Sequence, residues 1–242
     1  MSTANGNSAE LGIAHSLDVL AAAEDPRRVL TDGERARAAR FRRPADARDF
    51  VAAHVLARVV AARSSGDDWT TLEIEQRCAR CGGPHGKPTI RRHPGLEVTT
   101  SRTAGNVAAA ASSRAVAVDV ERLTATPLDA EVAGSAFTAD EIEAARAAPD
   151  PTLALLRQWV RKECLVKLGV LTLDTLRDVD LGELPVDEAR RRVYVRRTAW
   201  EGYCVLDWLD PAAGVLGSAV SVLPCRLLAL GAAPTWLPAK GV

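Results

Sequence analysis

Aromatic side chains are scarce in this 242-residue chain, at 4%, and they do not interleave with basic residues. That pattern argues against a nucleic-acid surface. Lysine plus arginine and aspartate plus glutamate each number 31, so the formal net charge is zero. No global field therefore draws the chain toward nucleic acid or an anionic membrane. No apolar run approaches the ~20 residues that span a bilayer. The polar stretch Ser2 to Glu10 has neither the basic region nor the apolar core of a signal peptide. Five cysteines, an odd number scattered along the chain, point to reduced thiols rather than a disulfide framework. No repeat of solenoid period is present. These absences lead to the expectation of a soluble cytoplasmic protein, long enough for one large core or two modest domains.

Charge is balanced overall but unevenly placed. Residues 27–63 hold ten arginines against Asp32, Glu34, Asp46 and Asp49, whereas residues 115–150 hold eight acids against Arg122 and Arg146. One stretch suits phosphates and the other suits a metal; two ordinary surfaces of opposite sign are the plainer reading. At the centre of the acidic stretch, Ala115-Val116-Ala117-Val118-Asp119-Val120-Glu121 alternates strictly. As a strand it puts the valines on one face and Asp119 and Glu121 on the other. Two carboxylates at i and i+2 repel each other and are costly to desolvate, a cost that a hard cation such as Mg²⁺ removes. Two solvated acids at a strand rim are the alternative.

Along the chain, 11–23 holds a first strand, and Thr31-Asp32-Gly33-Glu34 has capping-box spacing before a short arginine-rich helix. Residues 45–63 have the apolar period of a second helix, which Ser64 to Asp68 breaks. A strand is expected over 69–76, a loop over 78–94, and short strands over 97–100 and 106–112. Thr138 caps a helix containing Glu141. Another helix follows over 152–168, with Gly169 as its stop. The remainder alternates as strands 193–197, 203–209 and 215–223, and the tail from Leu230 is irregular. Helices beside short strands, with charge changing sign near residues 105–115, predict an α+β protein of two lobes, 1–112 and 113–242.

In the 152–168 helix Trp159, Glu163 and Lys167 share a face. Glu163 and Lys167 form either an exposed i, i+4 ion pair or, with Trp159 packed inward, part of a site with Asp119 and Glu121. His85-Gly86-Lys87-Pro88 offers a tight turn, a cationic head and a stiff exit. Cys78-Ala79-Arg80-Cys81 is half of a zinc pattern, with His85 and His93 nearby; lacking a second Cys-x-x-Cys, it is read instead as buried thiols. Ser101-Arg102-Thr103-Ala104-Gly105 can gather hydroxyls, a guanidinium and turn amides around a phosphate, or be a polar hairpin turn. Of the basic arm's Arg42, Arg43, Arg48 and Arg58, only Arg58 lies on its helix's apolar stripe.

Several of these runs, in this order, resemble the Sfp-type 4′-phosphopantetheinyl transferases. They are Phe41 to Arg58, His85-Gly86-Lys87-Pro88, Ser101-Arg102-Thr103 and Val118-Asp119-Val120-Glu121. Phe137-Thr138-Ala139-Asp140-Glu141 and Trp159-Val160-Arg161-Lys162-Glu163, with Lys167 and Gly169, complete the set. The resemblance covers roughly residues 30 to 225. It implies a monomeric pseudo-dimer of two similar α+β lobes with coenzyme A in the cleft between them. It also implies Mg²⁺ on Asp119, Glu121 and Glu163, and Lys167 on the pyrophosphate. Lys87 and Pro88 would lie beside the nucleotide, and Ser101, Arg102 and Thr103 would form a phosphate-binding turn. Arg102 stands where the family has histidine, which preserves charge but not a titrating imidazole. Pro44 and Ala45 replace a basic residue, leaving Arg43 or Arg48, with Arg58, for the 3′-phosphate.

The activity implied is Mg²⁺-dependent transfer of phosphopantetheine from coenzyme A to a serine of an acyl or peptidyl carrier protein, releasing 3′,5′-ADP. Glu163, directly or through a metal-bound water, is the candidate base, with Asp119 and Lys167 completing the catalytic set. The segment 124–132 is placed to reach the carrier, whose pathway stays open among fatty-acid, polyketide and peptide synthesis. The alternatives are a Mg²⁺-dependent nucleotide phosphohydrolase and a non-catalytic coenzyme A-binding protein.

Overall fold

The structure is a computed structural model that describes residues 7–23, 25–78, 81–83, 86–124, 130–186, 190 and 192–228. His85, Ala79, Arg80, most of the 124–132 segment and the tail from Leu230 lie outside the described residues, as does the start of the Ser2 to Glu10 stretch. The chain folds as two compact units, one reaching Val116 and resuming at Ser221, the other over Ala117–Val220. Both combine a sheet with helices, so the α+β class holds.

In the first unit the strand expected over 11–23 is β1 (Ala9–His15), followed by helix α1 (Ser16–Ala22). The side chain of His15 caps α1 by accepting the Leu17 amide. Helix α2 (Asp32–Ala38) starts at the expected capping box: Thr31 Oγ1 accepts the Glu34 amide and Glu34 accepts the Thr31 amide at 2.6 Å. Helix α3 (Pro44–Ser65) has proline in its first turn and ends at Gly66. It is buried on every side from Asp49 to Ala61, which marks a central core helix rather than a surface one.

Trp69–Thr71 is a 3₁₀ turn, because Asp68 takes the Thr70 amide; only Ile74–Gln76 (β2) is extended. The expected loop contains β3 (Pro88–Ile90), and the short strand expected at 97–100 is part of β4 (His93–Thr103). Strand β5 (Asn106–Ser112) runs antiparallel to both β4 and β1. The sheet has the order β10-β1-β5-β4-β3-β2, where β10 (Cys225–Leu227) runs parallel to β1 with Ala9 opposite Cys225. The chain thus returns to this sheet after leaving it for about a hundred residues. Arg226 fixes the register by bonding the fully buried Glu10 at 2.9 Å.

The second unit holds β6 (Val116–Arg122), α4 (Ala130–Ala136), α5 (Ala139–Ala147) and α6 (Pro151–Leu168). Strands β7 (Tyr194–Trp200), β8 (Tyr203–Asp210) and β9 (Val215–Ser221) complete a sheet of order β6-β9-β8-β7. Thr138 and Glu141 form a second capping box, and Gly169 closes α6 in the left-handed region. Leu153, Leu156 and Val160 of α6 pack with Leu209 and Leu216, while Cys164 and Leu165 pack with Ala117, Val205 and Val220. Each of these leucine and valine side chains contributes about 1.5–3 kcal/mol when fully buried. Beneath them Asp207, fully buried, is neutralised by Arg161 at 2.6 Å and Arg157 at 3.6 Å, and burial of the pair is tolerable only because both sides are bonded.

Candidate functional site: an acidic strand and a lysine-bearing helix

Strand β6 is buried through Val120 and emerges at Glu121, so Asp119 sits just inside the surface and Glu121 at the rim. Trp208 of β8 backs this strand. Gly217 of β9 makes room for it, since a Cβ there would overlap the indole and the Asp119 carbonyl oxygen. Helix α6 supplies the other half. Its Lys167 Nζ donates to Asp119 Oδ1 at 2.8 Å and to the Val118 carbonyl at 2.8 Å. The expectation that Trp159 faces inward holds, since it packs against the core of the unit. Of the two readings of Lys167, the structure bonds it to the strand acid rather than to Glu163.

The electrostatics tie Glu163 and Glu121 to the same place. Glu163 is pushed above the usual carboxylate range, by burial first and then by the charge of Asp119, with Lys167 opposing. Glu121 is also raised, by burial, then Asp119, and to a lesser degree Glu163. Three carboxylates against one ammonium leave an excess of negative charge around Glu121 and Glu163. The donor set, all carboxylate oxygen, fits a hard cation such as Mg²⁺. Among the described residues, however, no group of three or more His, Cys, Asp or Glu side chains is drawn together closely enough to hold a metal ion. Cys164, next to Glu163, is fully buried and donates to the Ser218 carbonyl; burial raises its pKa well above that of an ordinary thiol, so it is an inert packing residue.

Lys162, inside the same helical motif, takes a structural part that its sequence neighbours did not reveal. It is fully buried, donates to the carbonyls of Leu176 and Val179 at 2.6 and 2.9 Å, and pairs with Glu141 at 2.8 Å. Lys162 thereby anchors the 3₁₀ segment Leu173–Asp178 to α6. Glu163 and Lys167 are left on the outer side of the helix, half-buried.

On the first unit the expected coenzyme-binding residues fare differently from one another. Arg58 is the clear correction: it has no exposed surface, bonds Glu34 twice at 2.9 and 2.6 Å, and also donates to the carbonyls of Leu72 and His54. Its place on the apolar stripe made it a core residue, not a ligand contact. Arg48 pairs with Asp49 at 3.0 Å, and Lys87 pairs with Glu97, while Pro88 opens β3 opposite Gln76. Arg43 is exposed at the start of α3.

Ser101, Arg102 and Thr103 end β4 and lead into a two-residue turn, in which Ala104 and Gly105 have φ of 45° and 83°. The turn amide of Gly105 was expected to be available to a phosphate. It donates instead to Asp49 Oδ2 at 3.0 Å, and the Gly105 carbonyl accepts Ser16 at 2.7 Å. What the turn presents outward is Arg102, whose guanidinium lies 5.3 Å from the Phe41 ring centre and 5.8 Å from that of Phe50. Arg37, 5.3 Å from the Phe50 ring centre, joins it and lowers its pKa, after desolvation and against Asp46 and Asp49. Arg37 and Gln76, which it bonds at 2.7 Å, escaped the sequence reading, because their bond joins residues 39 positions apart. The expectation of buried thiols does not hold for Cys78 and Cys81: Cys81 is exposed and Cys78 half-buried, whereas Cys164 and Cys225 are buried.

Compared with known protein families, residues 115–207 match the 4′-phosphopantetheinyl transferase superfamily. The matched residues include Asp119, Glu121, Glu163 and Lys167. Members of that superfamily are transferases that use coenzyme A and act on carrier proteins. No curated protein matches the chain.

Proposed function

We propose that this chain transfers the 4′-phosphopantetheine arm of coenzyme A to a serine hydroxyl of an apo acyl or peptidyl carrier protein. The observation that carries the reading is the Lys167–Asp119 contact at 2.8 Å inside the matched segment, with Glu121 and Glu163 in the field of the same acid. In the reaction the serine oxygen forms a bond to the phosphorus that bears the pantetheine arm. The pyrophosphate P–O bond breaks, and 3′,5′-ADP departs with the electron pair. Lys167 offers its ammonium to the pyrophosphate oxygens, where negative charge builds on the leaving group. Glu163, directly or through a water, is the candidate base for the serine proton.

Asp119, Glu121 and Glu163 are the residues that would hold Mg²⁺, which when bound supplies charge neutralisation at the pyrophosphate. On the first unit, Arg102, Ser101, Thr103, Lys87, Pro88, Arg43 and Arg48 are the proposed contacts to the nucleotide portion of coenzyme A. Arg37 joins them through its place beside Arg102. No described helix is long and apolar enough to cross a membrane. We place the protein in the cytoplasm, acting as a monomer.

The test is nucleotide release. With coenzyme A and Mg²⁺, 3′,5′-ADP should appear only when apo carrier is added, in amounts equal to the serines modified. Release without carrier would replace this reading with a phosphohydrolase, and coenzyme A binding without release would replace it with a binding protein.

A further inference from the structure

We propose that the first unit binds a small amphipathic carboxylate, a medium-chain fatty-acid anion, in the cavity between α1, the 26–30 turn and the facing sides of α2 and α3. The cavity has a volume of about 430 Å³, inside the ~300–1,000 Å³ range of small-molecule sites. It exists because the residues that face it are small. Helix α2 and its cap line it with Arg35, Ala38 and Ala39, and α3 lines it with Pro44, Ala47, Arg48 and Val51, positions three and four apart on one side of each helix. Alanine at 38, 39 and 47 leaves unfilled the space that larger apolar side chains would take. Leu20 of α1, Leu30 and Val51 supply apolar wall, and Leu30 and Val51 are part of the buried core of the unit. Such a wall forfeits dispersion contacts while it is uncovered, and a hydrocarbon chain restores them where water does not.

The polar side of the cavity is cationic. Among the described residues, the charged ones that line it are Arg27, Arg35 and Arg48, with no acid. Arg35 is held in place: it donates to the carbonyls of Leu30 and Arg27 and pairs with Asp32, which braces the 26–30 turn against α2. Arg48 pairs with Asp49 at 3.0 Å. Arg27 is exposed, and its side chain has no partner among the described residues. Three guanidiniums against two paired carboxylates leave one positive charge unmatched, which suits a single anionic head. A carboxylate fits that head, because its two oxygens take parallel bonds from a guanidinium. A nucleotide does not fit the rest, since its base and sugar would meet apolar walls without hydrogen-bonding partners. The site does not rest on phosphopantetheine transfer, and its occupancy can be read without coenzyme A.

The experiment titrates octanoate into the full chain, methyl-labelled at leucine and valine, and follows the methyl resonances by NMR. The methyls of Leu20, Leu30 and Val51 should shift together and saturate with one dissociation constant. Butyrate should bind about tenfold more weakly or worse, since each methylene withdrawn from water carries about fourfold in affinity. Octanol, with the same body and no charge, should bind about threefold more weakly. Arg27→Gln should impose a similar loss on octanoate and none on octanol. Ala47→Leu and Ala38→Leu, each filling the cavity, should abolish the octanoate shifts with an unchanged circular dichroism spectrum. Octanoate that leaves these methyls unmoved, or moves them without saturating, overturns the proposal, as does equal affinity for butyrate or octanol. Undiminished octanoate binding in Arg27→Gln, or in both Ala47→Leu and Ala38→Leu, overturns it too.

Discussion

Acid should unfold the first unit through one carboxylate. Glu34 receives both guanidinium nitrogens of Arg58 and lies 2.5 Å from His54 Nδ1, all three side chains being buried. Burial alone would raise its pKa, but the bonds from His54 and Arg58 outweigh that and hold it down at about 2, against an ordinary 4.5. A lowered carboxylate stabilises the folded state above the unfolded pKa and loses that stability as pH falls toward the folded one. The depression corresponds to roughly 3 kcal/mol at neutral pH, of which about 2 kcal/mol is gone by about pH 3. His54, whose pKa burial lowers below the usual 6.5, adds a loss of the same sign that begins at milder acidity. The perturbation is Glu34→Gln and the assay is urea unfolding read by amide exchange in α3, from about pH 7 to about pH 3. The variant should be weaker by about 3 kcal/mol or more at neutral pH, because it also strands the Arg58 charge, and the gap should close as pH falls. Parallel stability curves for the two proteins would refute the reasoning.

Arg58→Ala should cost about 3–5 kcal/mol by stranding Glu34, so its defect should appear as lost folded protein in urea titration and not as a raised KM for coenzyme A. Gly217→Ala drives a methyl into Trp208 and the Asp119 carbonyl; soluble yield and Trp fluorescence should report a loss of several kcal/mol, about 3 or more, in the second unit. Glu163 and Glu121 are raised acids, so their ionisation opposes folding above the ordinary carboxylate range and is harmless below it. In metal-free protein Glu163→Gln and Glu121→Gln should therefore raise Tm at neutral pH and show no gain at acid pH, while abolishing transfer.

Much of this arrangement was visible in the chain. The Thr31–Glu34 capping box, the Thr138 cap, the two long helices and the alternating acidic strand follow from local spacing, because each needs only neighbours within a few residues. What escaped depends on distant partners. Glu34 reads as a cap, and it is one; its second duty to Arg58 requires α2 and α3 to be packed. Arg58 is a candidate ligand contact in sequence, and Arg161 and Lys162 stand beside Glu163 in the transferase-like run, yet each is consumed by a buried acid or by carbonyls. The Gly105 amide is claimed by Asp49 across 56 positions of sequence. Strand β10 pairs with β1 across more than two hundred residues, and its three-residue length leaves no periodic signal. Candidate residues could be grouped in sequence where they share one strand or helix; their commitments to the core could not.

The measurement that bears most directly on the central claim is the intact mass of an apo carrier protein after incubation with this chain, coenzyme A and Mg²⁺. The account predicts a gain of one phosphopantetheine, roughly 340 Da, on the carrier serine, absent without Mg²⁺ and absent with Lys167→Ala or Glu163→Gln that remain folded. Unmodified carriers of several kinds, with coenzyme A bound and intact beside a folded wild-type protein, would contradict it.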